Sequence, residues 1–228
     1  MRGGPRPGVL LLHGLGVRPL WMALLARDLR REGFDPVLNL GWPRKAPSAE
    51  AAVEDLARRL RRRFPGGVPP LHGVGYSAGG LLLRRLQGRG DLPPGGRLVT
   101  LGTPHRGAAK AAALGGRRWF RFLFGGLGRD LQPGSEWLRS LPPLPADSLC
   151  IYAATGRPRG RSRFIEGDDD GVVEVVSAAP PGCRSWCAGN VYHGFLPWLP
   201  RVRRRVVEEL RAAEAAGTEA AAAGAGER

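Results

Sequence analysis

The chain has 228 residues, a formal charge of +15 and an ordinary hydrophobic share of 43%, which fits one α/β domain with a sizeable core and contains no apolar run near the ~20 residues that a bilayer-spanning helix needs. The charge invites a nucleic-acid reading, but Lys45 and Lys110 are the only lysines among 35 basic residues. The arginines fall on several helix faces, and no zinc-finger spacing, RNA-binding aromatic motif or basic-region heptad occurs, so the excess reads as a solvated Arg-rich surface of a GC-rich coding bias with no specific nucleic-acid partner.

The opening "MRGGPRPGVLLLHG" has an apolar run too short for a signal-peptide core and no small-residue cleavage site after it. Its run at 8–13 reads as a buried first strand, and the expected location is cytoplasmic. A helical pattern over 18–34 ends near Gly33, and "PVLNL" at 36–40 is the next strand. Ser48 can cap the helix that follows, whose apolar stripe is Val53, Leu56, Leu60 and Phe64. Glu54 with Arg58 and Asp55 with Arg59 are expected as i,i+4 pairs.

"LHGVG" at 71–75 is a strand, then comes Ser77, then a helix through "AGGLLLRRLQ". Strands are expected at 97–102, at 149–155 and near "CRSWCAG", with a closing helix over 201–215 carrying Val202, Val206, Val207 and Leu210 on one face. The tail 217–228 is low in complexity and is expected to be frayed or disordered outside a domain of residues 1–216. Alternation of strands and helices predicts a mostly parallel sheet of about six strands with helices on both faces. The segment 107–145 breaks the alternation and holds Trp119, Phe120, Phe122, Leu123, Phe124 and Trp137. It reads either as helices packing on the core or as a small apolar cap over a site.

Gly75-Tyr76-Ser77-Ala78-Gly79 fits the loose Gly-x-Ser-x-Gly pattern, and its position between a strand and a helix makes that pattern specific. Small residues allow the sharp reversal, and the helix N-terminus favours negative charge beside the serine. A serine nucleophile needs a base. Of the four histidines, His13 and His72 precede Ser77 in or beside strands, while His193 in "NVYHGF" follows the last strand. His193 is the expected base, with His105 as the alternative. The carboxylate that orients it is sought in "EGDDDGVV": Asp170 abuts the turn glycine and is preferred, Asp168 and Asp169 are alternatives, and Glu166 comes last. An acidic surface turn or a weak calcium site is the competing reading of that cluster. The oxyanion donors are expected to be the amides of Ala78 and of Leu15, the latter in the turn begun by His13-Gly14, with His13 itself orienting that turn. Cys150, Cys183 and Cys187 are an odd count, and Cys183/Cys187 lacks a second Cys/His pair to complete a zinc site. No metal or organic cofactor is implied.

With these blocks in order, "LLHGLG", "GVGYSAGG", "LGTPHRG", "DGVV" and "YHG", the chain resembles the α/β-hydrolase superfamily, and within it bacterial lipases and esterases. The "LGTPHRG" block is similar to that of lipases and GPI-inositol-deacylase-like proteins, which implies a structural role for His105. The resemblance implies a minimal α/β-hydrolase fold lacking the first antiparallel strands. It also implies a Ser77-His193-Asp170 triad that cleaves carboxylic esters through an acyl-enzyme, and a small-molecule or lipid ester as substrate, with transient membrane contact allowed. The alternatives are a thioesterase, amidase or acyltransferase with the same triad, or a non-catalytic hydrolase-like scaffold.

Overall fold

The computed structural model describes residues 7–43, 46–115 and 126–226. Strands β1 (Gly8–Leu12), β2 (Val37–Leu40), β3 (Leu71–Tyr76), β4 (Leu98–Leu101), β5 (Leu149–Tyr152) and β6 (Arg184–Cys187) form one open sheet in the order β2-β1-β3-β4-β5-β6. Every pairing between neighbours is parallel. The principal helices are α1 (Ala23–Arg31), α2 (Ala49–Arg63), α3 (Ala78–Gly88), α4 (Ala109–Gly115) and α5 (Pro200–Gly226).

Alternation along β1 divides the core in two. Leu10 and Leu12 join the cluster under α2 and α3, whereas Val9 and Leu11 join the one under α1 and α5, as the two-residue period of a strand requires. The apolar stripe of α2 is buried at Val53, Leu56 and Leu60, Phe64 packs at its edge, and the Ser48 side chain accepts from the Ala51 amide at 3.1 Å. Asp55 pairs with both Arg58 and Arg59. The expected Glu54–Arg58 pair is replaced: Glu54 reaches Arg89 at the end of α3, where Glu50 also binds, because α2 and α3 pack side by side and offer a tertiary partner.

Helix α5 runs through Gly226; its many alanines have the highest helix propensity and no proline interrupts them. In the 107–145 segment, Leu127, Leu131, Leu138 and Leu141 are buried in the α2/α3 core, and Trp137 packs against it with its indole donating to Glu50 at 3.0 Å. Trp119, Phe120, Phe122, Leu123 and Phe124 lie outside the described residues.

Parallel strands put their carboxyl ends on one edge, where α/β folds gather their functional loops. That edge receives His13–Leu15 after β1, Ser77 after β3, Gly102-Thr103 after β4, the aspartate loop after β5 and His193 after β6.

Candidate active site

Ser77 sits between β3 and α3 with φ 53° and ψ −126°, the one positive φ at a non-glycine among the described residues. Such a backbone costs an L-residue about 1–3 kcal/mol and persists only where neighbours hold it. They do so here. The Ser77 amide donates to Leu101 O at 2.8 Å, and the Thr103 hydroxyl donates to Ser77 O at 2.9 Å. The glycines are required by space: a Cβ on Gly75 would lie 2.3 Å from the Gly80 Cα, and one on Gly79 would lie 2.3 Å from Leu12 O. The first turn of α3 therefore rests against the end of β1. A Cβ on Gly14 would lie 2.9 Å from the Ser77 Cβ, so the Gly14-Leu15 turn is in contact with the serine, as an oxyanion donor there would need.

His193 begins a short 3-10 helix, His193–Trp198, after β6. Its Nδ1 lies 2.6 Å from Asp170 Oδ2, and its backbone amide donates to Asp170 O at 2.9 Å, so ring and main chain are tied to the same residue. Asp170 is buried, and its Oδ1 accepts from the Val172 and Val173 amides at 3.0 and 2.9 Å. Tyr76, directly before Ser77, lies under the His193 ring with centroids 5.1 Å apart, and its hydroxyl donates to His193 O at 3.4 Å. Burial, then the nearby Asp170 charge, push the tyrosine pKa well above its usual value, so it is a neutral donor. A Cβ on Gly102, which has φ 57°, would lie 3.0 Å from the His193 ring. The imidazole is thus wedged between the end of β4 and Tyr76 and anchored by Asp170.

The three aspartates of the β5 loop do three different jobs. Asp168 accepts from the Thr155 amide and hydroxyl at 2.8 and 2.7 Å and from the Gly156 amide at 2.7 Å. Its burial works to raise the pKa, but those hydrogen bonds outweigh it and hold the group below the usual carboxylate value. Asp169 accepts from the Ser162 and Gly171 amides. Only Asp170 reaches a histidine. Among the described residues no group of three His, Cys, Asp or Glu is arranged to hold a metal ion.

The other histidines have their own occupations. His105 Nε2 lies 3.1 Å from Thr100 Oγ1 beneath the sheet edge, and burial followed by the Arg84 charge depress its pKa to about 3. His72 Nδ1 accepts from the Arg97 amide at 2.9 Å, and burial, then Arg97, lower its pKa to about 4. His13 stacks on Trp42 with centroids 5.1 Å apart, its Nδ1 lies 2.8 Å from Gly14 O, and burial lowers its pKa against that hydrogen bond. Sequence reasoning did not single out Thr103 or Tyr76 as supports. The "TP" directly after a strand was the available sign for Thr103; nothing in the sequence signals the tilted Tyr76–His193 ring contact. All three cysteines are free thiols.

No protein-family model matches the chain, and no curated protein sequence does. Solved structures do. Lipase BlEst2 of Bacillus licheniformis in its mature form superposes with a TM-score of 0.59 at 20% identity, covering 85% of this chain and 87% of that one. The chain has the α/β-hydrolase fold. A structure from the pair of metagenome-derived lipolytic enzymes LipS and LipT matches with a TM-score of 0.56 at 16% identity, over 92% of this chain and 95% of the other. A haloalkane dehalogenase loop variant from Bradyrhizobium elkanii matches with a TM-score of 0.50 at 14% identity, over 94% and 92%. One fold therefore carries ester and carbon–halogen chemistries in these neighbours, and the reaction of this chain has to be argued from its own side chains.

Proposed function

We propose that the chain is a serine hydrolase that cleaves carboxylic esters. The observation that carries this reading is the strained Ser77 at the β3–α3 turn, since a backbone at that cost is maintained only by the contacts from Leu101, Thr103 and three close glycines. In the proposed reaction His193 takes the Ser77 proton as Oγ attacks the ester carbonyl. Asp170 fixes the ring so that Nδ1 carries a proton toward the carboxylate and Nε2 is free to act. The amides of Ala78 and Leu15 stabilise the oxyanion. His193 then returns the proton to the leaving alcohol, and a water activated by the same ring releases the acid from the acyl-enzyme. The lipase and GPI-inositol-deacylase-like grouping to which "LGTPHRG" points belongs to the same proposal. So does a cap role for the 107–145 segment, whose helix α4 stands over the aspartate loop through Ala109 N to Glu174 at 3.1 Å.

The test is turnover of p-nitrophenyl esters from acetate to palmitate, together with fluorophosphonate labelling read by mass spectrometry. The expected result is hydrolysis with the label on Ser77, and a fall of at least about 10⁴-fold in Ser77→Ala with the far-UV spectrum and melting temperature retained. Turnover unchanged in that variant would refute the reading. Faster turnover of thioesters or amides, or ester exchange with an added alcohol, would redirect it to those reactions with the same triad.

A further inference from the structure

We propose that the cavity beside His193 is a subsite for a negatively charged group, carboxylate or phosphate, on the alcohol portion of the ester; this rests on the ester-hydrolase reading above. The cavity has a volume of about 420 Å³, and its lining includes His193, Asp170, Lys110, Arg161, Arg163 and Tyr192.

The three cations there are held by neutral partners. Lys110 Nζ donates to Gly171 O at 2.8 Å. Arg161 lies over the Tyr192 ring, its Cζ 3.7 Å from the centroid, and donates to Asn190 Oδ1. Arg163 stands over the Phe164 ring at 4.8 Å. Carbonyls, amides and ring faces fix a cation in place without cancelling its charge. Some arginines elsewhere are ion-paired, Arg85 and Arg89 with Glu50, Arg184 and Arg205 with Glu209, and Arg203 with Asp28, while Arg30, Arg84 and Arg201 donate to single carbonyls away from this cavity; what sets the cavity apart is that three unpaired cations line one space beside His193. Among the described residues, no ion pair includes Lys110, Arg161 or Arg163. Asp170 is the sole carboxylate in the lining, and its oxygens are engaged by His193 and two amides. Asp168 and Asp169 lie outside the lining, bound to main-chain groups of their own loop. Three cations against one lining carboxylate, with no ion pair between them, leave a surplus of positive charge that is complementary to an anion brought by a ligand.

Position decides which half of the ester carries it. The proton on His193 has to reach the leaving oxygen, which must come within hydrogen-bond distance of the ring. A cavity that opens from His193 itself therefore takes the group attached to that oxygen, and the acyl chain lies elsewhere.

The test compares 4-nitrophenyl butyrate with 3-carboxy-4-nitrophenyl butyrate, which differ by one carboxylate on the leaving alcohol, each rate divided by its spontaneous hydrolysis. A micellar pair, an acylglycerol phosphate against the uncharged acylglycerol, presents the same difference in lipid form. The expected result is a preference in kcat/KM of about 10- to 100-fold for the charged ester, the size of one or two charge-assisted hydrogen bonds. Lys110→Met and Arg161→Gln should each lower kcat/KM for the charged ester about tenfold more than for the neutral one, and Lys110→Arg should keep the preference. A preference confined to the soluble pair assigns a water-soluble ester, and one present in both pairs assigns an anionic lipid headgroup. Equal corrected rates in both pairs, in protein that hydrolyses esters at Ser77, would overturn the subsite and leave the hydrolase reading standing. If no ester turns over, the hydrolase reading fails by itself, and calorimetric titration with 3-carboxy-4-nitrophenol and 4-nitrophenol decides the anion site. Tighter binding of the carboxylate that is lost in Arg161→Gln supports it, and equal binding ends it.

Discussion

Asp168, Asp169 and Asp170 are chemically identical and adjacent, yet hydrogen bonding separates them into a loop tie, a turn tie and the partner of His193. That separation yields opposed expectations. Asp170→Asn should lower kcat by about 10⁴-fold with little loss of stability, because the amide can still accept from Val172 and Val173 but presents the wrong group to Nδ1. Asp168→Asn should keep kcat within severalfold and lower stability by about 1–2 kcal/mol, since an NH₂ cannot accept from both Thr155 and Gly156. Steady-state rates and denaturant midpoints on the two variants check this, and a large rate loss in Asp168→Asn with Asp170→Asn unaffected would reverse the assignment. At this scale the sequence narrowed the carboxylate expected beside His193 to a cluster and preferred the residue next to the glycine, the one that contacts His193. It could not decide among the three, because the choice depends on which carboxylate the loop turns inward. The histidines were easier. Chain order put His193 after the last strand, and the structure leaves His105 and His72 to buried hydrogen bonds of their own.

The strand–turn–helix element at Ser77 was legible because it rests on two strong local signals, a buried apolar run and glycines at fixed spacing. The contacts that hold its strain were not, because they come from other strands. Thr103 is fully buried, its hydroxyl donates to Ser77 O, and a Cβ on Gly80 would lie 2.1 Å from that hydroxyl oxygen. Helix and hydroxyl are therefore fitted together. Thr103→Val keeps the volume and removes the donor, leaving a carbonyl at a strained position without its partner. We expect a loss of about 1–3 kcal/mol in stability and a drop in kcat that exceeds the drop in substrate affinity, read by thermal melts and by the split between kcat and KM. Wild-type kinetics and stability in Thr103→Val would mean that the β1 and β4 contacts alone hold the turn. The cationic cavity was illegible for a different reason. Arg161, Arg163 and Lys110 lie on a loop and a short helix with no periodicity to read, and only folding shows that their neighbours are rings and carbonyls instead of carboxylates.

Across the whole molecule the arginine excess is partly structural. Glu209 is 2% exposed and is met by Arg184 and Arg205, while Arg97 approaches it at 3.5 Å. Burial works to raise the Glu209 pKa, but these arginines outweigh it and hold it below the usual value. Carboxylates of this kind add stability that is lost in acid only below their unfolded pKa, so their contribution falls away at the low end of the pH scale. The buried histidines act earlier. His72 and His105 stay neutral in the fold down to about 4 and about 3, whereas in the unfolded chain they protonate near 6.5. Between those values the unfolded state binds more protons than the native one, so stability is complete above about pH 6.5 and falls as pH is lowered toward 4. With two such groups the slope near pH 5 should approach about 2.7 kcal/mol per pH unit, and protonation adds to a charge that is already +15, which works in the same direction. Urea unfolding from pH 7.5 to 4.5 should show a plateau followed by this decline, and a His72→Gln variant should show a shallower one. A flat profile over that range would mean that both imidazoles gain a proton in the native state, which would require the surroundings of His105 at Thr100 and Cys150, and those of His72 at Phe34 and Arg97, to open to water.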